Sequence, residues 1–387
     1  MNITRTIETQ YPIPLYNNSI ISYWEASAVK SSIEIGGLIF YITPRAEDKH
    51  FFFNFKEIVK VLLNPHLFAD KSPVGSGFVN DDYTFKQYAI TVKTYNASNA
   101  LMNTWNFNAK FLKSAMQIEE SLVKRNILHN DYEGIYHFDV WEGLPFGITL
   151  FKNFYPFITE ITTVVKELVT VTSPDGLTFE EWQDVPKVFT LADETITEKA
   201  VRFFLINNVG DVMQQENPEN KLLLIPGKTS DFKLIHGDDV AASAKIHYHK
   251  TCSGLYLKWF NIYGGWDYFL FSDKFQVSPK VKSLGEVQTG FDNFYQNLET
   301  ENVALISGFA TDLGKTADLS YAIDESFLTS IQFKKVSKII YSPKVCLWTG
   351  KKWIDVQLSS STKFNNKKRY GKVEFDLTLP ERILQTI

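Results

Sequence analysis

Apolar and polar residues alternate along several short stretches of the chain, with the period of two that is typical of β-strands. In Ser31–Pro44 the alternation is interrupted by Gly36-Gly37, which predicts a bulge or a tight bend. We therefore expect strands to dominate the fold. The other alternating stretches are Tyr88–Tyr95, Thr104–Phe111, Lys351–Leu358 and Gly371–Leu379.

Helical periodicity is confined to a few short stretches. Asn54–Pro65 and Ile331–Pro343 carry apolar residues at i, i+3 and i+7. Each ends in a proline, Pro65 or Pro343, which pushes the preceding residue out of the α region and stops the helix. A third short helix is predicted over Thr178–Val185, where Thr178 could cap a first turn rich in carboxylates. The predicted apolar stripes are Phe55, Ile58 and Leu62 in the first helix and Phe333, Val336 and Ile340 in the second.

The stretch Gly254–Phe271, GLYLKWFNIYGGWDYFLF, predicts a β-hairpin of two aromatic strands. Gly264 and Gly265 form the turn, since glycine adopts the backbone angles that tight turns need. Trp259 and Trp266 are predicted to pack the strands.

Gly134–Phe151 aligns without a gap on Gly254–Phe271, because both open with Gly-aliphatic-Tyr and close with Leu-Phe. A second hairpin is therefore predicted here, with its turn near Gly143. The two clear helices also align without a gap, and the layout downstream of each is similar, so an internal duplication is predicted. Chance similarity of amphipathic helices is the alternative. The helix precedes the hairpin in one half and follows it in the other, which a simple tandem repeat would not produce.

The chain of 387 residues is long enough for two or three domains. The predicted fold class is mainly β, with sandwich-like or tube-like domains and a few short helices. Its predicted regions are a tube-like or ring-like domain at 1–152, a β-rich middle region or insertion at 153–250, and a β-rich domain with one short helix at 251–387. Aromatic residues make up 15% of the chain, which favours strands and protein–protein contact surfaces.

The formal net charge of −4 provides no overall positive field that would hold nucleic acid. A local basic cluster, NNKKRYGK at Asn365–Lys372, lies between two strand-like stretches and is predicted to be a solvated hairpin tip. Cys252 and Cys346 each lie in an apolar run, which predicts buried thiols in a reducing compartment.

The N-terminus has no apolar signal core, and no stretch approaches the roughly 20 apolar residues of a membrane helix. We therefore expect a protein without a membrane anchor that is made in the cytoplasm and stays there or leaves by cell lysis.

Sequence motifs for phosphate or metal binding are incomplete. Gly314-Lys315-Thr316 and Gly227-Lys228-Thr229 lack the first glycine of a phosphate loop, since Phe309 and Leu222 occupy that position. His247 and His249 share one face of a predicted strand near Cys252, but no third metal ligand has a characteristic spacing. A polar outer face is the preferred interpretation, and no cofactor or metal residue is assigned.

Signatures of a catalytic nucleophile are absent. Glu180, Glu181 and Asp184 beside Trp182 could line a sugar cleft, although a charged helix start explains them as well. The same two interpretations apply to Asp139 and Glu142 beside Trp141, and to Asp267 beside Trp266. No catalytic residue is assigned, and the protein is not expected to be an enzyme.

Three patterns together resemble virion proteins of tailed bacteriophages that infect Bacteroidota, in particular tail-hub, distal-tail and neck-ring components. They are the hairpin at Gly254–Phe271, VWEGLPFGITLF at Val140–Phe151, and SPKVCLW, WIDVQLSSSTKF and GKVEFDLTL near the C-terminus. The resemblance covers about the two outer thirds of the chain.

The resemblance implies a structural protein of the virion that forms a ring or hub around the tail channel. Some hubs carry two tube-like domains, so that a trimer matches a sixfold tube. The implied partners are further copies of the chain, as a trimer, hexamer or dodecamer, and other tail or baseplate proteins, with DNA passing through the channel without specific contacts. A glycan-binding module and, with less support, a cell-wall glycosidase are the alternatives.

Overall fold

The computed structural model describes residues 1–7, 9, 12–64, 77–80, 84–116, 127–129, 131–151, 158–192, 200–206, 229–236, 239–288, 310–359, 363–365, 371–380 and 382–386. Strands far outnumber helices in these ranges, which confirms the mainly β prediction. The helices are α1 (Lys56–Leu63) and α2 (Ser330–Val336), the second continued by a 3₁₀ turn at Ser337–Tyr341.

The strands lie along the chain in the following order. The first seventeen are β1 (Asn2–Arg5), β2 (Ile13–Pro14), β3 (Ile20–Trp24), β4 (Lys30–Ile35), β5 (Leu38–Ile42), β6 (Phe51–Asn54), β7 (Gly77–Asn80), β8 (Phe85–Tyr95), β9 (Leu101–Leu112), β10 (Asp131–Tyr132), β11 (Ile135–Trp141), β12 (Pro145–Phe151), β13 (Ile158–Thr172), β14 (Thr178–Ala192), β15 (Ala200–Ile206), β16 (Thr229–His236) and β17 (Asp239–His249). The others are β18 (Gly254–Phe260), β19 (Trp266–Ser272), β20 (Phe275–Ser283), β21 (Glu286–Gln288), β22 (Ala310–Asp312), β23 (Gly314–Leu328), β24 (Val345–Trp348), β25 (Trp353–Leu358), β26 (Lys363–Asn365), β27 (Gly371–Thr378) and β28 (Arg382–Thr386).

The chain divides into two compact units. The first contains Met1–Cys252 together with Trp259–Tyr268, and the second contains Ser253–Lys258 together with Phe269–Ile387. The tip of the aromatic hairpin therefore belongs to the first unit and its base to the second. The division into three regions at 1–152, 153–250 and 251–387 stays a prediction.

The core of the first unit is enclosed by two sheets, β1-β3-β6 and β2-β9-β8-β4-β5, with α1 against them. Tyr23 on β3 shows how the sheets meet. Its ring stacks on Phe51 of β6, with the ring centroids 5.2 Å apart, and contacts the edge of Trp105 on β9. Its hydroxyl lies 2.6 Å from the Ser31 hydroxyl on β4. Side chains from both sheets thus fill one apolar layer, as in a β-sandwich.

Two further sheets complete the first unit, in the orders β10-β11-β17-β16-β13-β14 and β12-β15-β7. The predicted strands at Tyr88–Tyr95 and Thr104–Phe111 are confirmed as parts of β8 and β9. Gly36 and Gly37 both have positive φ and join β4 to β5, so the predicted bend is a two-residue hairpin turn.

Both predicted helices are present, but their buried stripes differ from the prediction. The buried row consists of Phe55, which is the N-cap residue of α1, and of Val59 and Leu63 within the helix, at i, i+4 and i+8, while Ile58 and Leu62 pack beside it. After α2 the backbone tightens to a 3₁₀ turn, and with three residues per turn Ile339 rather than Ile340 lies beneath Val336.

The second helix ends as predicted, because Ser342 before Pro343 is extended. Pro65, the predicted stop of the first helix, lies outside the described residues.

The predicted helix at Thr178–Val185 is wrong, since these residues belong to β14. Every residue from Thr178 to Ala192 pairs with β13 in antiparallel register, around a turn at Ser173–Leu177. The neighbouring strand β13 is rich in Ile, Val and Thr, which favour strands, and this pairing outweighs the local acidic helix-start signal.

The predicted hairpin at Gly134–Phe151 is also wrong. β11 and β12 form at the expected places, and Gly143 has the positive φ of a turn. However, β11 pairs with β10 and, in parallel, with β17, whereas β12 pairs with β15 in a different sheet. Parallel β17 occupies one edge of β11 from Tyr136 to Trp141, so the chain turns away into the second sheet. The internal duplication therefore loses its paired hairpins and stays a prediction from the helices.

The second unit contains a large sheet in the order β19-β18-β24-β25-β27-β23-β20, with β26 beside β27 and β28 beside β23, and the small sheet β21-β22. The predicted strands at Lys351–Leu358 and Gly371–Leu379 are confirmed as β25 and β27. Because β26 and β27 pair in antiparallel register, Asn365–Lys372 joins two hairpin strands as predicted, although residues 366–370 lie outside the described ranges. Gly314-Lys315-Thr316 begins β23 and forms a strand, not a phosphate loop.

Candidate functional site

The aromatic hairpin has the predicted strands, β18 and β19, and a turn at Asn261–Gly265. The Asn261 N–H donates to the Gly265 carbonyl at 2.8 Å, and Gly264 has a φ of +99°. From Leu255 to Phe260 every residue is buried, so both faces of β18 are covered. Its aromatic side chains are therefore packing residues and not an exposed platform for a sugar.

Asn261 holds the hairpin tip in place with its side-chain amide. Its Oδ1 accepts hydrogen bonds from the backbone N–H groups of Tyr263, at 2.9 Å, and Gly265, at 3.0 Å. Its Nδ2 donates to the backbone carbonyl of Leu128 at 3.0 Å. One buried side chain thus shapes the turn and connects it to a segment more than a hundred residues away.

The two glycines of the tip act for different reasons. At Gly264 the positive φ favours glycine, and an added Cβ would lie 2.9 Å from the Lys113 carbonyl oxygen. Gly265 does not have a positive φ, but an added Cβ would lie 2.2 Å from the Leu128 carbonyl oxygen. The second glycine is therefore required by close backbone contact.

A buried His129–Asp267 pair lies beside the same tip. The Nδ1 of His129 is 2.8 Å from the Asp267 Oδ1, and the backbone N–H of Thr149 donates to His129 Nε2 at 3.0 Å. Because Nε2 accepts, the proton of the neutral ring is on Nδ1 and is donated to Asp267. Both side chains are at most 3% exposed. Asp267, a carboxylate that the sequence offered for a sugar cleft beside Trp266, thus lies within the protein interior beside the turn.

Asn261→Asp is expected to destabilise the first unit by about 2–4 kcal/mol, because it replaces a buried donor with an oxygen facing the Leu128 carbonyl. Urea unfolding followed by fluorescence measures the loss. Asn108→Asp, at an exposed position of β9, is the matched control and should change stability by less than about 0.5 kcal/mol. Equal stability of the two variants would contradict the role of Asn261.

Lys258, at the base of the hairpin, is a second buried charged residue. Its side chain is 2% exposed, and its ammonium lies 4.3 Å from the centroid of the Trp353 ring. The ring of Tyr256 also packs against Trp353, with the ring centroids 5.5 Å apart. A cation–π contact thus lies within the packing of the second unit, where the sequence showed only an alternating charged residue.

The two histidines predicted to lie on a polar outer face of β17 both contact side chains of β11. His247 Nε2 lies 3.0 Å from His137 Nδ1, and the two rings are parallel. His249 Nε2 lies 2.9 Å from the Oδ1 of Asp139, a buried carboxylate that the sequence also offered for a sugar cleft. Across the described ranges, no group of three or more His, Cys, Asp or Glu side chains is placed to hold a metal ion. The partners on β11 could not be read from sequence, because they depend on its parallel pairing with β17.

The carboxylates proposed for a sugar cleft on β14 are not assembled into one. Glu180 and Glu181 are exposed consecutive residues of the strand, so their side chains project from its opposite faces. Two groups placed in this way cannot flank one glycosidic bond. The side chains of Trp182 and Asp184 lie outside what the structure describes.

An open groove of about 670 Å³ lies in the second unit, between residues of β20, β23 and β27. Asp273, Asp324, Glu374 and Asp376 give it an acidic lining. The ammonium of Lys372 lies 2.8 Å from an Asp324 oxygen and 2.6 Å from a Glu374 oxygen, and these hydrogen bonds raise the pKa of Lys372. The groove thus carries a partly neutralised acidic surface.

The two cysteines differ, and the prediction that both are buried is wrong for Cys252. Cys346 lies inside the second unit, and burial raises the pKa of its thiol to about 12. Cys252 is exposed because it lies in the short connection between β17 and β18.

One thiol per chain is expected to react with a maleimide at neutral pH in the native protein, and two in denaturant. Cys252 is accessible, whereas Cys346 is both shielded and protonated. Mass spectrometry of the labelled chain measures the number, and Cys252→Ser serves as the control that should remove native labelling. Labelling of Cys346 in the folded protein would contradict its burial.

Several strands are terminal in their sheets, so that one edge of each has no partner strand among the described residues. They include β5, β14 and β20. On β5, the side chains of Leu38, Ile39 and Tyr41 are exposed. On β20, every residue after Phe275 is exposed. These edges are the described strand surfaces on which a neighbouring chain could pair.

The β13–β14 hairpin extends well past its own sheet. β16 pairs with β13 along Ile158–Thr162, and from Thr163 to Thr172 β13 pairs with β14 alone among the described strands. Phe179 on this two-stranded part and Leu177 in its turn are exposed. The first unit thus carries a two-stranded arm with apolar side chains facing solvent.

Comparison with known proteins gives no family. No family model matches the chain, and no curated protein matches it. Among solved structures, the fibronectin(III)-like modules of CbhA from Clostridium thermocellum align with a TM-score of 0.18 and 9% identity over 64% of this chain and 94% of that chain. Dpr2 Ig1–Ig2 in complex with DIP-Theta Ig1–Ig3 aligns with a TM-score of 0.19 and 8% identity over 98% of this chain and 90% of that chain. Neither described helix has the length and apolar composition of a membrane span.

Proposed function

We propose that the chain is a structural component of a bacteriophage tail, which forms a ring or hub around the tail channel at the baseplate or neck and joins neighbouring tail proteins. The observation that carries the proposal is the arm formed by β13 and β14. The arm extends beyond its sheet, and no described strand covers its two edges. Apolar side chains on it are exposed.

An isolated two-stranded ribbon is marginally stable in water, because it buries little apolar surface. Exposed strand edges also invite pairing with other chains. Assembly with neighbouring subunits would cover the arm and the edges of β5 and β20 at once, and closed symmetry provides such neighbours without leaving an open end. The sequence resemblance to virion proteins indicates the kind of assembly.

The chemistry of the described residues is consistent with a non-enzymatic role. Asp267, Asp139 and His249 have hydrogen-bonding partners within the protein, and Glu180 and Glu181 project from opposite faces of a strand. The proposed partners are therefore further copies of the chain, as a trimer, hexamer or dodecamer, and other tail proteins. The proposed location is the virion tail, after assembly in the host cytoplasm.

Gold-labelled antibodies against the chain test this proposal on virions purified from the phage that encodes it. Labelling confined to the tail or neck is the expected result, with a constant copy number per particle by quantitative mass spectrometry. Intact virions that lack the chain, with all of it left soluble in the lysate, would overturn the proposal.

A glycan-binding module is the second candidate, because several aromatic side chains are exposed, among them Trp24, Tyr41 and Tyr341. An exposed ring can stack on a sugar face. A glycan array measures this directly, and binding that is lost in Trp24→Ala or Tyr41→Ala would favour it. Absence of binding by intact virions and by the purified chain would remove it.

A further inference from the structure

The edges of β14 and β20 carry opposite charge. Within β14, the stretch Glu180–Asp184 contains three carboxylates and no basic residue. Glu180 and Glu181 are exposed, as is Phe179 just before them. Because the two glutamates are consecutive, the edge of the arm presents one exposed carboxylate on each face, with Phe179 on the same face as Glu181. This arrangement is called the acidic edge.

β20 presents the complementary edge. The stretch Lys274–Lys282 contains three lysines and no acidic residue, and all three lysines are exposed. Val277 and Val281 lie on the opposite face from Lys280 and Lys282 because side chains alternate along a strand, and both valines are about half exposed. Asp318 of the neighbouring β23 lies opposite Lys280 and pairs with Lys282, so these two lysines share one carboxylate and this face keeps an excess of basic side chains. The other face of the edge is apolar.

Lysine and proline on an edge strand commonly discourage aggregation, and β20 contains Pro279 as well. That explanation does not account for a second strand with the opposite charge and exposed apolar residues. Pro186 and Pro279 both lack an N–H, so a contact between these strands would be made by short backbone segments and by side chains.

From this complementarity we infer that the acidic edge of β14 in one copy of the chain docks beside the basic edge of β20 in a second copy. Different surfaces meet in such a contact, so it is heterologous and repeats from copy to copy. It produces a ring where the rotation between neighbouring copies closes. Since it names the neighbour that a ring requires, the inference rests on the proposed function. Its occupant is a second copy of this chain.

Paired charge reversals test the contact without knowledge of its register. The first variant is Glu180→Lys with Glu181→Lys, and the second is Lys280→Glu. Glu180 and Glu181 are exposed, so the first variant should unfold at the same urea concentration as the wild type. Lys280 is also exposed but lies opposite Asp318 of β23, so Lys280→Glu should stay folded and unfold at a slightly lower urea concentration. Lys282 is left unchanged because it already pairs with Asp318 at 2.8 Å.

Sedimentation velocity at low ionic strength measures association. The wild-type chain should associate, and more weakly as salt is added. Each variant alone should associate at least about tenfold more weakly, since like charges then face each other. An equimolar mixture of the two variants should regain association. In one contact, the new lysines on β14 of the first variant meet the new glutamate on β20 of the second. In the other contact, the unchanged β20 of the first variant meets the unchanged β14 of the second.

Glu34→Lys and Lys351→Glu, at exposed positions on other elements, are the matched controls and should associate as the wild type does. Variants that associate as strongly as the wild type, a mixture without rescue, or a wild-type chain that stays monomeric at low salt would each overturn the inference. Failure here with the chain still present in virion tails would leave the proposed function standing. Absence from virions would overturn the function independently of the contact.

Discussion

Gly265→Ala is expected to prevent stable folding of the first unit, with a loss of more than about 4 kcal/mol. The new Cβ would lie 2.2 Å from the Leu128 carbonyl oxygen, which is backbone and cannot rotate away. Relief of this clash would move the tip off Leu128 and break the three hydrogen bonds of the Asn261 side chain. Circular dichroism and urea unfolding of the purified variant measure the effect.

Gly350→Ala is the matched control for this substitution. Gly350 has a φ of +85°, but an added Cβ would meet nothing within 4 Å. Its expected loss is therefore the backbone strain alone, about 1–2 kcal/mol. If Gly265→Ala were no worse than Gly350→Ala, the close contact of the tip with Leu128 would be contradicted.

Trp266→Ala is expected to destabilise the first unit by about 3–5 kcal/mol, because it removes one of the largest fully buried side chains. The Trp266 ring packs edge-on against the Phe260 ring, with the ring centroids 5.5 Å apart. Its removal therefore leaves a cavity beside Phe260. Urea denaturation with intrinsic fluorescence measures the loss of unfolding free energy.

Trp24→Ala removes the same side chain from a partly exposed position of β3 and is expected to cost less than about 1.5 kcal/mol. A similar loss in both variants would mean that the hairpin tip is not a packing centre. The comparison also separates the structural role of the hairpin tryptophans from a sugar-binding role, which would require exposure.

The strands that local patterns predicted are present, because alternation reports which face of a single strand is buried. They are fewer than half of the 28 strands in the described residues. The failures occurred where a partner strand outside the stretch itself decided the structure. The acidic stretch Thr178–Val185 has a helix-start signal, but the pairing of β14 with β13 outweighs it. Gly134–Phe151 has two strands and a turn, but parallel β17, about a hundred residues later, occupies an edge of β11. Parallel partners are distant in sequence and cannot be read from local patterns.

At the hairpin tip, too, local patterns predicted some features, while others depend on a segment elsewhere in the chain. The glycine pair predicted its turn, and the positive φ of Gly264 agrees with it. The need for Gly265, the anchoring by Asn261 and the His129–Asp267 pair all depend on the segment at Leu128 and His129, which the sequence does not connect to the hairpin. His129 in particular carried no signal, because a lone histidine has no pattern to mark it.

The central claim is that copies of the chain assemble with one another into a closed ring. The native mass of the purified chain, followed by negative-stain imaging of any large species, tests this claim most directly. We expect a trimer, hexamer or dodecamer with a central opening at low ionic strength, since the complementary edges of β14 and β20 should then bind most strongly. A monomer at every concentration from low micromolar to near-millimolar, with no closed particles by imaging, would contradict it.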